Sequence, residues 1–227
     1  MIGLPTVERL YQNKTASYLT QTLSQLIEHI HPEDAGKVVV VVYLADELES
    51  KRMKVLQEVQ TNFGKYLESG VVHVISAVER FYPQLKNLPE TLGDGQTRMY
   101  WRSKQSIDYV YLLRYSKDLA DYYMQMEDDV SCEVNYTKYI RDFMEEKRND
   151  PWVSLSFTGW GFIGKLFRRE EVASFADYLA LLYNESPCDW LYNNYLEMKG
   201  RPQGYQMTRN PPLFHHIGHQ SSSLGTV

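Results

Sequence analysis

The chain has 227 residues, of which 43% are hydrophobic, and its formal net charge is −5. This charge excludes the overall basic surface that nucleic-acid binding usually needs, and no apolar stretch approaches the roughly 18 residues of a membrane-spanning helix. No internal repeat, low-complexity tract or convincing linker divides the sequence. We therefore expect a single domain with a sizeable hydrophobic core.

The N-terminal half alternates segments that are typical of helices and strands. Apolar residues recur at helical spacing over residues 19–30, 51–66 and 103–115. Apolar runs of strand length occupy residues 37–44, 71–76 and 122–126. The first of these is continuous and β-branched, as in a strand buried on both faces. The alternation indicates βαβ units, so we predict an α/β fold with a mostly parallel sheet flanked by helices.

The C-terminal half is more mixed. Its spacing predicts a short strand over residues 152–157 and helices over residues 136–147, 172–183 and 189–198. A glycine-punctuated loop follows the strand at residues 159–164. The polar tail from His215 onward is predicted to be irregular. This half therefore departs from the βαβ rhythm of the first half.

Three consecutive acids, Glu127, Asp128 and Asp129, follow the strand predicted over residues 122–126. Ligands of open α/β sheets bind at the carboxyl ends of the strands. Adjacent carboxylates repel one another, and a cation would neutralise them. Oxygen ligands suit Mg²⁺ or Mn²⁺, ions that commonly accompany a diphosphate. On the triplet alone, a solvated acidic turn explains the sequence equally well.

The glycines at positions 159, 161 and 164 have the G-x-G-x-x-G spacing of dinucleotide-binding loops. That motif belongs at the first strand-to-helix turn, with an acid about 20 residues further on. Here the glycines come late in the chain, after the acidic triplet. We favour a loop whose backbone approaches a ligand, with Lys165 nearby for charge. A simple tight turn is the alternative.

Three charged residues lie at the starts of predicted helices. Arg102 and Lys104 begin the helix before the acidic strand, where backbone N–H groups favour anionic oxygens. A solvated helix face explains these two cations equally well. Asp189 begins a later helix, where it is either an N-cap or a general base that takes a proton from a nucleophile.

Three histidines, His215, His216 and His219, occur together in the tail. Histidine ligates metals and contacts phosphate, but no cysteine or acid accompanies these three at zinc-site spacing. The sequence also lacks a Gly-x-Ser-x-Gly elbow, a Walker A loop and a cysteine–histidine nucleophile pair. The reaction class that remains is metal-assisted transfer from a diphosphate donor.

Three N-glycosylation sequons begin at Asn13, Asn135 and Asn184. Each alone is a weak signal, but together they favour a secretory setting. The two cysteines, Cys132 and Cys188, fit either a reducing compartment or a single disulfide, and their count does not decide between the two.

Seven segments, in this order along the chain, resemble the N-acetylglucosaminyltransferase IV family of N-glycan branching enzymes. They are residues 40–46 (VVVYLAD), 81–85 (FYPQL), 102–109 (RSKQSIDY), 126–130 (MEDDV), 161–165 (GFIGK), 187–191 (PCDWL) and 213–218 (LFHHIG), with Ser222 beyond. The match spans nearly the whole chain. Arg-Ser-Lys-Gln, Leu-Ala-Asp and Pro-Cys-Asp-Trp look most like the isozyme C branch.

The resemblance implies a GT-A fold, with a nucleotide-binding half over about residues 1–130 and an acceptor-binding half over about residues 131–227. It implies inverting transfer of GlcNAc from UDP-GlcNAc to a mannose of an N-glycan core on a glycoprotein, forming a β1,4 branch. Such enzymes are type II membrane proteins of the Golgi lumen. We expect the chain to be the catalytic core, without the anchor, the stem and the C-terminal extension of family members.

The resemblance also implies roles for individual residues. Asp129 is expected to be the main protein ligand of Mn²⁺ or Mg²⁺, with His216 at the metal or the diphosphate. Asp189 precedes a Trp and resembles the base of N-acetylglucosaminyltransferase I, a distant GT-A relative. The residues expected to contact the donor are Pro5, Thr6, Asp46, Arg102, Lys104, Glu127, Asp128, Gly161, Lys165 and His216.

The isozyme C branch carries cysteines at the positions of both Cys132 and Cys188. Cys132 lies three residues after Asp129, and Cys188 directly precedes Asp189. If both acids face one donor, the two sulfurs are predicted to lie within bonding distance. We therefore expect a disulfide between them, with two buried free thiols as the alternative.

The sequence departs from the family pattern at two places. His215 stands where the family usually has Gln, and Thr158-Gly159-Trp160 replaces a short polar-Leu sequence. The first departure leaves the roles of the three histidines open, and the second bears on acceptor preference. The alternative functions are a catalytically inactive glycan- or glycosyltransferase-binding relative and a transferase of the same fold that uses another UDP-sugar.

Overall fold

A computed structural model describes residues 1–11, 14–16, 18–159, 161–202 and 206–218. Its strands are β1 Ile2–Thr6, β2 Arg9–Tyr11, β3 Lys14–Ala16, β4 Val40–Leu44, β5 Val72–Ile75, β6 Tyr122–Gln125, β7 Val130–Cys132, β8 Ser154–Ser156, β9 Lys165–Arg168, β10 Met207–Thr208 and β11 Phe214–His216. Its α-helices are α1 Leu19–Glu28, α2 Glu49–Glu68, α3 Gln96–Ser116, α4 Tyr136–Glu146, α5 Arg169–Leu182 and α6 Cys188–Met198. Across these described ranges, no helix is long and apolar enough to cross a membrane.

The main sheet contains seven strands in the order β10-β8-β9-β6-β1-β4-β5. Strand β1 runs parallel to β4 and β6, and β4 runs parallel to β5. Strand β9 is antiparallel to both β6 and β8 and so joins the C-terminal half to the βαβ units. This topology confirms the predicted α/β fold with a mostly parallel, mixed sheet.

The sheet is buried on both faces, which explains the continuous apolar run in β4. Val40 and Val42 pack into one core, together with α1, α2 and α4. Val41 and Tyr43 point to the other side and pack with α3, α5 and α6. Because successive side chains of a strand alternate between faces, a strand with helices on both sides must be apolar throughout.

The central strand β1 was not predicted, because Gly3 and Pro5 weaken the strand pattern. The structure accommodates Pro5 because the pairing of β1 with β6 ends near Gly3, so the proline nitrogen interrupts no further bond on that side. Pro5 still occupies a register position opposite Tyr43 of β4. A proline inside a central strand is thus tolerated where one ladder has already ended.

Most predicted helices and strands are present, with ends shifted by a few residues. One larger difference is α3, which begins at Gln96, so that Arg102 and Lys104 lie inside the helix instead of at its start. Another is the tail, which was wrongly predicted to be irregular throughout. Phe214–His216 forms β11 and pairs with β7 in antiparallel fashion. His219 lies outside the described residues.

The predicted disulfide is wrong, because Cys132 and Cys188 are both free and buried. Cys132 packs in the core that contains α1, where its sulfur lies 3.6 Å from His29 Nδ1. Cys188 packs in the core on the other face of the sheet, where its sulfur lies 3.6 Å from Gln105 Oε1. The two thiols are therefore separated by the sheet, although both lie next to acids in the sequence.

Candidate active site

A cleft of about 700 Å³ opens at the carboxyl ends of β1, β4 and β6. This is the edge at which open α/β sheets bind ligands. Of the residues predicted to contact a donor or an acceptor, those that line the cleft are Pro5, Thr6, Asp46, Lys104, Glu127, Asp128, Gly161 and Asp189. The structure therefore brings together segments that are far apart in the sequence.

Glu127 and Asp129, the first and last residues of the acidic triplet, form with His216 a group that fits a divalent cation. One ligand atom from each residue lies within 4.8 Å of the others. The Asp129 side chain is 3% exposed, and His216 Nε2 lies 3.2 Å from Asp129 Oδ2. Two carboxylates and one imidazole suit Mn²⁺ or Mg²⁺ better than a soft metal. The residues present thus fit the predicted metal.

Pairing of β7 with β11 holds His216 beside Asp129. His216 lies opposite Val130 in the register of the two strands. The backbone N–H of Ile217 donates to the Asp129 carbonyl at 2.8 Å, so the chain after β11 stays against the triplet. A Cβ atom at Gly218 would collide with the Asp129 carboxylate. Only a glycine at this position lets the backbone approach the candidate metal ligands so closely.

Asp128 has a different environment from its two neighbours. Its carboxylate accepts a hydrogen bond from Thr6 Oγ1 at 2.6 Å, which links the ends of β6 and β1. The Thr22 hydroxyl of α1 donates to the Asp128 carbonyl at 2.8 Å and accepts from the Val130 N–H at 3.0 Å. These contacts hold the triplet in a fixed conformation, with Asp128 at the floor of the cleft.

Asp46 follows β4 and forms another part of the cleft wall. Its Oδ2 accepts a hydrogen bond from the Glu8 N–H at 2.7 Å, and Lys51 Nζ lies 4.0 Å from Oδ1. Burial is the main cause that raises the pKa of Asp46 above its usual value, and the Glu8 hydrogen bond and Lys51 oppose that shift. An aspartate held in this way presents acceptor oxygens at the end of a parallel strand.

Arg102 does not line the cleft. It is 1% exposed, and its guanidinium lies 3.2 Å from Asp94 Oδ2 and donates to the Asn184 carbonyl at 3.3 Å. Because Arg102 lies within α3, successive residues of one motif face different ways. Lys104 faces the cleft, whereas Arg102 joins α3 to the segments around Asp94 and Asn184.

The glycine loop contributes one of its two predicted donor contacts. Gly161 has a φ of +51°, and a Cβ there would lie 3.9 Å from Glu127 Oε1, so its backbone comes close to the acids. Lys165 is buried instead. Its Nζ donates to Ser156 Oγ at 2.6 Å and to Gln206 Oε1 at 3.0 Å, away from the cleft. Burial lowers the pKa of Lys165 to about 8.

Asp189 lines the cleft from the first turn of α6. Pro187 occupies the N-cap position, and no side chain makes a capping hydrogen bond there. The N-cap interpretation of Asp189 is therefore wrong. A carboxylate in a first helical turn is favoured by the helix dipole, and this one is not used to satisfy the helix backbone.

A family model described as "MGAT4 conserved region" matches residues 1–227. The chain belongs to this family. Alpha-1,3-mannosyl-glycoprotein 4-beta-N-acetylglucosaminyltransferase A from Bos taurus is 33% identical to it over 239 residues, covering 100% of this chain and 44% of the relative. The C enzyme from Sus scrofa is 34% identical over 225 residues, covering 99% of this chain and 46% of the relative. The chain thus spans less than half the length of these relatives.

These identities confirm the resemblance to the MGAT4 family. They are nearly equal for the A and C enzymes, so membership of the C branch stays a prediction. Among solved structures, mannosyltransferase PcManGT from Pyrobaculum calidifontis, in complex with GDP-Man and Mn²⁺, has a TM-score of 0.51 at 12% identity. The alignment covers 93% of this chain and 54% of that protein. At this identity the likeness concerns the fold alone, and it confirms the GT-A fold of this MGAT4 member.

Sequence reasoning missed several residues of the MGAT4 cleft. They are Glu8, Lys51, Arg98, Tyr100, Trp101 and Asp108. Asp108 had a visible signal, since it follows Lys104 by one helical turn within a segment already quoted for the resemblance. Glu8 and Lys51 had none, because their positions depend on how the chain leaves β1 and enters α2.

The predicted glycosylation sites remain predictions. Asn135 and Asn184 are half-buried, and Asn135 is the N-cap residue that precedes α4, in the left-handed region with a φ of 60°. Asn13 lies outside the described residues. Trp160, part of the departure from the MGAT4 pattern, also lies outside them.

Proposed function

We propose that the protein transfers GlcNAc from UDP-GlcNAc to a mannose of an N-glycan core, with inversion and a β1,4 linkage. The observation that carries this proposal is that Asp189 lines the same cleft as Glu127 and Asp128. A candidate base and the candidate donor-side acids thus border one cavity. The relatives' names, which specify an alpha-1,3-mannosyl glycoprotein and 4-beta-N-acetylglucosaminyl transfer, supply the sugar, the acceptor and the linkage.

The donor is proposed to bind mainly to the first half of the chain, over about residues 1–130. Most cleft-lining residues come from this half, including Thr6, Asp46, Lys104 and Asp128. The second half, over about residues 131–227, contributes Gly161 and the start of α6 to the lining of the same cleft. An acceptor that enters between the halves would meet the donor sugar beside Asp189.

Glu127, Asp129 and His216 would hold the metal, for which Mn²⁺ or Mg²⁺ is the proposed ion. When bound, such an ion supplies positive charge that offsets the charge developing on the diphosphate leaving group. The protein's own contribution is to keep the three ligands together through the β7–β11 pairing and the close approach of Gly218.

Asp189 is the proposed general base. Its carboxylate accepts the proton of an acceptor hydroxyl while that hydroxyl oxygen forms a bond to the anomeric carbon of GlcNAc. The bond from this carbon to the diphosphate oxygen breaks, and its electron pair leaves with UDP. Because attack occurs on the face opposite the leaving group, an α-linked donor gives a β-linked product.

The proposed setting is the Golgi lumen, where glycoproteins carry N-glycan acceptors. The net charge of −5 offers no general attraction for nucleic acid, so the proposed partners are UDP-GlcNAc and glycoprotein glycans.

The test is incubation of the purified protein with UDP-GlcNAc, Mn²⁺ and a panel of defined N-glycans. We expect the mass of a mannose-terminated acceptor to increase by one N-acetylhexosamine, with the new β1,4 linkage assigned by NMR. UDP-galactose should give no product. Binding of UDP-GlcNAc in calorimetry without any transfer would instead identify an inactive relative, and preference for another UDP-sugar would overturn the proposed donor.

A further inference from the structure

A hydrogen-bonded group of side chains lies in the cleft wall, where α3 faces the end of β4. Lys104 Nζ donates to the Ala45 carbonyl at 2.6 Å and to Asp108 Oδ2 at 2.8 Å. The Tyr82 hydroxyl donates to Asp108 Oδ1 at 2.5 Å. The Tyr43 hydroxyl lies 2.6 Å from that of Tyr82. One carboxylate therefore links a lysine and two tyrosines from three separate segments.

Lys104 lies in the wall between two cavities. One is the cleft, and the other is a neighbouring cavity of about 470 Å³. Asp46 and Tyr100 also line both spaces. The position of the Lys104 ammonium therefore determines the shape and the charge of the boundary at the proposed donor site.

We propose that Asp108 is a positioning residue, which acts on the donor through Lys104. It holds the ammonium of Lys104 at the carboxyl end of β4, in the wall of the cleft. The inference rests on the proposed function, because the ligand that Lys104 meets is taken to be a UDP-sugar.

Lysine needs such a partner because its four-carbon stem has many rotamers and its ammonium has no fixed geometry. Here Nζ lies 3.1 Å and 2.8 Å from the two oxygens of Asp108, so the carboxylate supplies most of its acceptors. Without that carboxylate only the Ala45 carbonyl would remain among these contacts. The ammonium would then leave its place for solvent, and the donor would have to order it on binding.

Burial raises the pKa of Asp108 to about 6, although Lys104, Tyr82 and Tyr43 oppose the shift. These three groups face the carboxylate from α3, from the segment after residues 79–81 and from β4. Burial is the main cause that raises the pKa of Tyr100 and Tyr111, also on α3, and the negative charge of Asp108 adds to the shift. The pKa values of all four tyrosines are raised, so these phenols stay neutral at ordinary pH. As the pH falls through about 6, Asp108 gains a proton, and Lys104 loses its counter-charge.

The central experiment compares Asp108→Asn, Lys104→Met and the double variant in the transferase assay. We expect each single variant to raise the KM for UDP-GlcNAc roughly 10-fold, because a charge-assisted contact is lost, with kcat within a few-fold of wild type. The KM for the glycan should not change. If Asp108 acts only through Lys104, the double variant should be no worse than Lys104→Met alone.

Two further readouts distinguish positioning from a general loss of structure. In the wild type, the KM for UDP-GlcNAc should rise as the pH falls from about 7 to about 5, whereas Asp108→Asn should lack the part of that rise caused by Asp108. Tyr82→Phe removes one hydrogen bond to Asp108 but keeps the ring. This variant should raise the same KM by a few-fold, and should have no effect in the Lys104→Met background.

A matched control is available in α4, where Lys138 and Asp142 form an exposed ion pair at 2.6 Å with the same helical spacing. Asp142→Asn should leave the KM for UDP-GlcNAc unchanged. If the wild type transfers GlcNAc but Asp108→Asn leaves the KM for UDP-GlcNAc unchanged, this inference is overturned and the proposed function stands. The same conclusion follows if the double variant has a higher KM than Lys104→Met alone. If the wild type neither binds nor uses UDP-GlcNAc, the proposed function fails and this inference fails with it.

Discussion

Glu127, Asp128 and Asp129 are consecutive in the sequence but do not all share one environment in the structure. Glu127 and Asp129 approach His216, whereas Asp128 is bonded to Thr6 of β1. The carboxylates of Glu127 and Asp129 thus lie close enough to repel each other, and a bound cation would neutralise both. A solvated acidic turn would not show Asp128 and Asp129 buried. The structure therefore favours a binding role for the triplet over that alternative.

We predict that Asp189→Asn lowers kcat by roughly 10²–10⁴-fold, because amide nitrogen and oxygen do not accept the proton of the acceptor. Affinity for UDP in the presence of Mn²⁺, measured by calorimetry, should stay within a few-fold of wild type. The stability cost should be at most about 1 kcal/mol, since the side chain makes only a first-turn dipole contribution. Turnover close to wild type would place the base elsewhere, and Glu185 would be the next residue to substitute.

We predict that His216→Gln weakens Mn²⁺-dependent UDP binding by at least roughly 10-fold, because His216 is a candidate metal ligand. Substitution of residues that only support a metal ligand already lowers metal affinity by roughly 10–100-fold. His215→Gln is the matched control on the same strand. Successive strand residues point to opposite faces, and His215 lies 3.1 Å from Glu133 on the surface. Calorimetry with Mn²⁺ and UDP measures both variants. An equal loss in His215→Gln would contradict the assignment of His216.

At the scale of elements, the close packing of β1 against β6 depends on a residue without a side chain. A Cβ at Gly3 would lie 2.7 Å from Tyr123 Cε2 and 2.8 Å from Tyr123 Cζ. Tyr123 is itself buried, with its ring in the core on the α3 side of the sheet. The strand therefore has little room to move away from an added methyl group.

We predict that Gly3→Ala lowers the free energy of unfolding by about 1–3 kcal/mol, the usual cost of overpacking a core. Gly64→Ala in α2 is the matched control, because a Cβ there would have nothing within 4 Å and alanine favours the helix by up to about 1 kcal/mol. Urea unfolding of both variants gives the comparison. Equal stability of the two variants would show that β1 and β6 adjust freely.

At the scale of the whole molecule, the cleft connects the two halves of one sheet. Strand β9 of the second half pairs with β6 of the first, and the cleft has walls from both halves. A donor bound there would contact residues that are distant in the chain, so binding should stabilise the folded state of the whole domain.

We predict that UDP with Mn²⁺ at about 100 times its Kd stabilises the folded protein by about 2.7 kcal/mol. For a domain of this size that corresponds to a rise in Tm of about 5–10 °C. Differential scanning calorimetry measures the shift. EDTA should remove most of this shift, because without a bridging cation the carboxylates of Glu127 and Asp129 would repel the diphosphate. The same shift in EDTA would show that UDP binds without metal.

Much of the architecture was predictable from local patterns. The β-branched run of β4, the helical spacing of α1 and α2, and the acids after β6 each report on their own neighbourhood. Strand β1 was not predicted, because its tolerance of Pro5 depends on where its neighbour β6 stops pairing with it. Strand β11 was not predicted either, because polar residues form a strand there only by pairing with β7.

The cysteines show most clearly what a linear sequence leaves out. Cys132 and Cys188 both lie close in sequence to cleft acids, yet the sheet places them in different cores. Two residues that each lie close in sequence to the same site do not have to lie close to each other in space. The face on which a side chain lies depends on the alternation of side chains along a strand and on the rotation of a helix. Arg102 and Lys104 differ for the same reason, since residues two apart on a helix do not face the same way.

The amino-acid sequence by itself determined the α/β class, the acidic end of β6 and membership of the MGAT4 family, because these depend on local patterns and on a chain-long match. Only the tertiary structure decided that Asp189 faces the same cleft as Glu127, and that His216 joins Asp129. It also decided that Lys165 is buried away from the cleft. Such groupings arise when helices and strands pack, and packing joins residues according to shape and burial instead of their order in the chain.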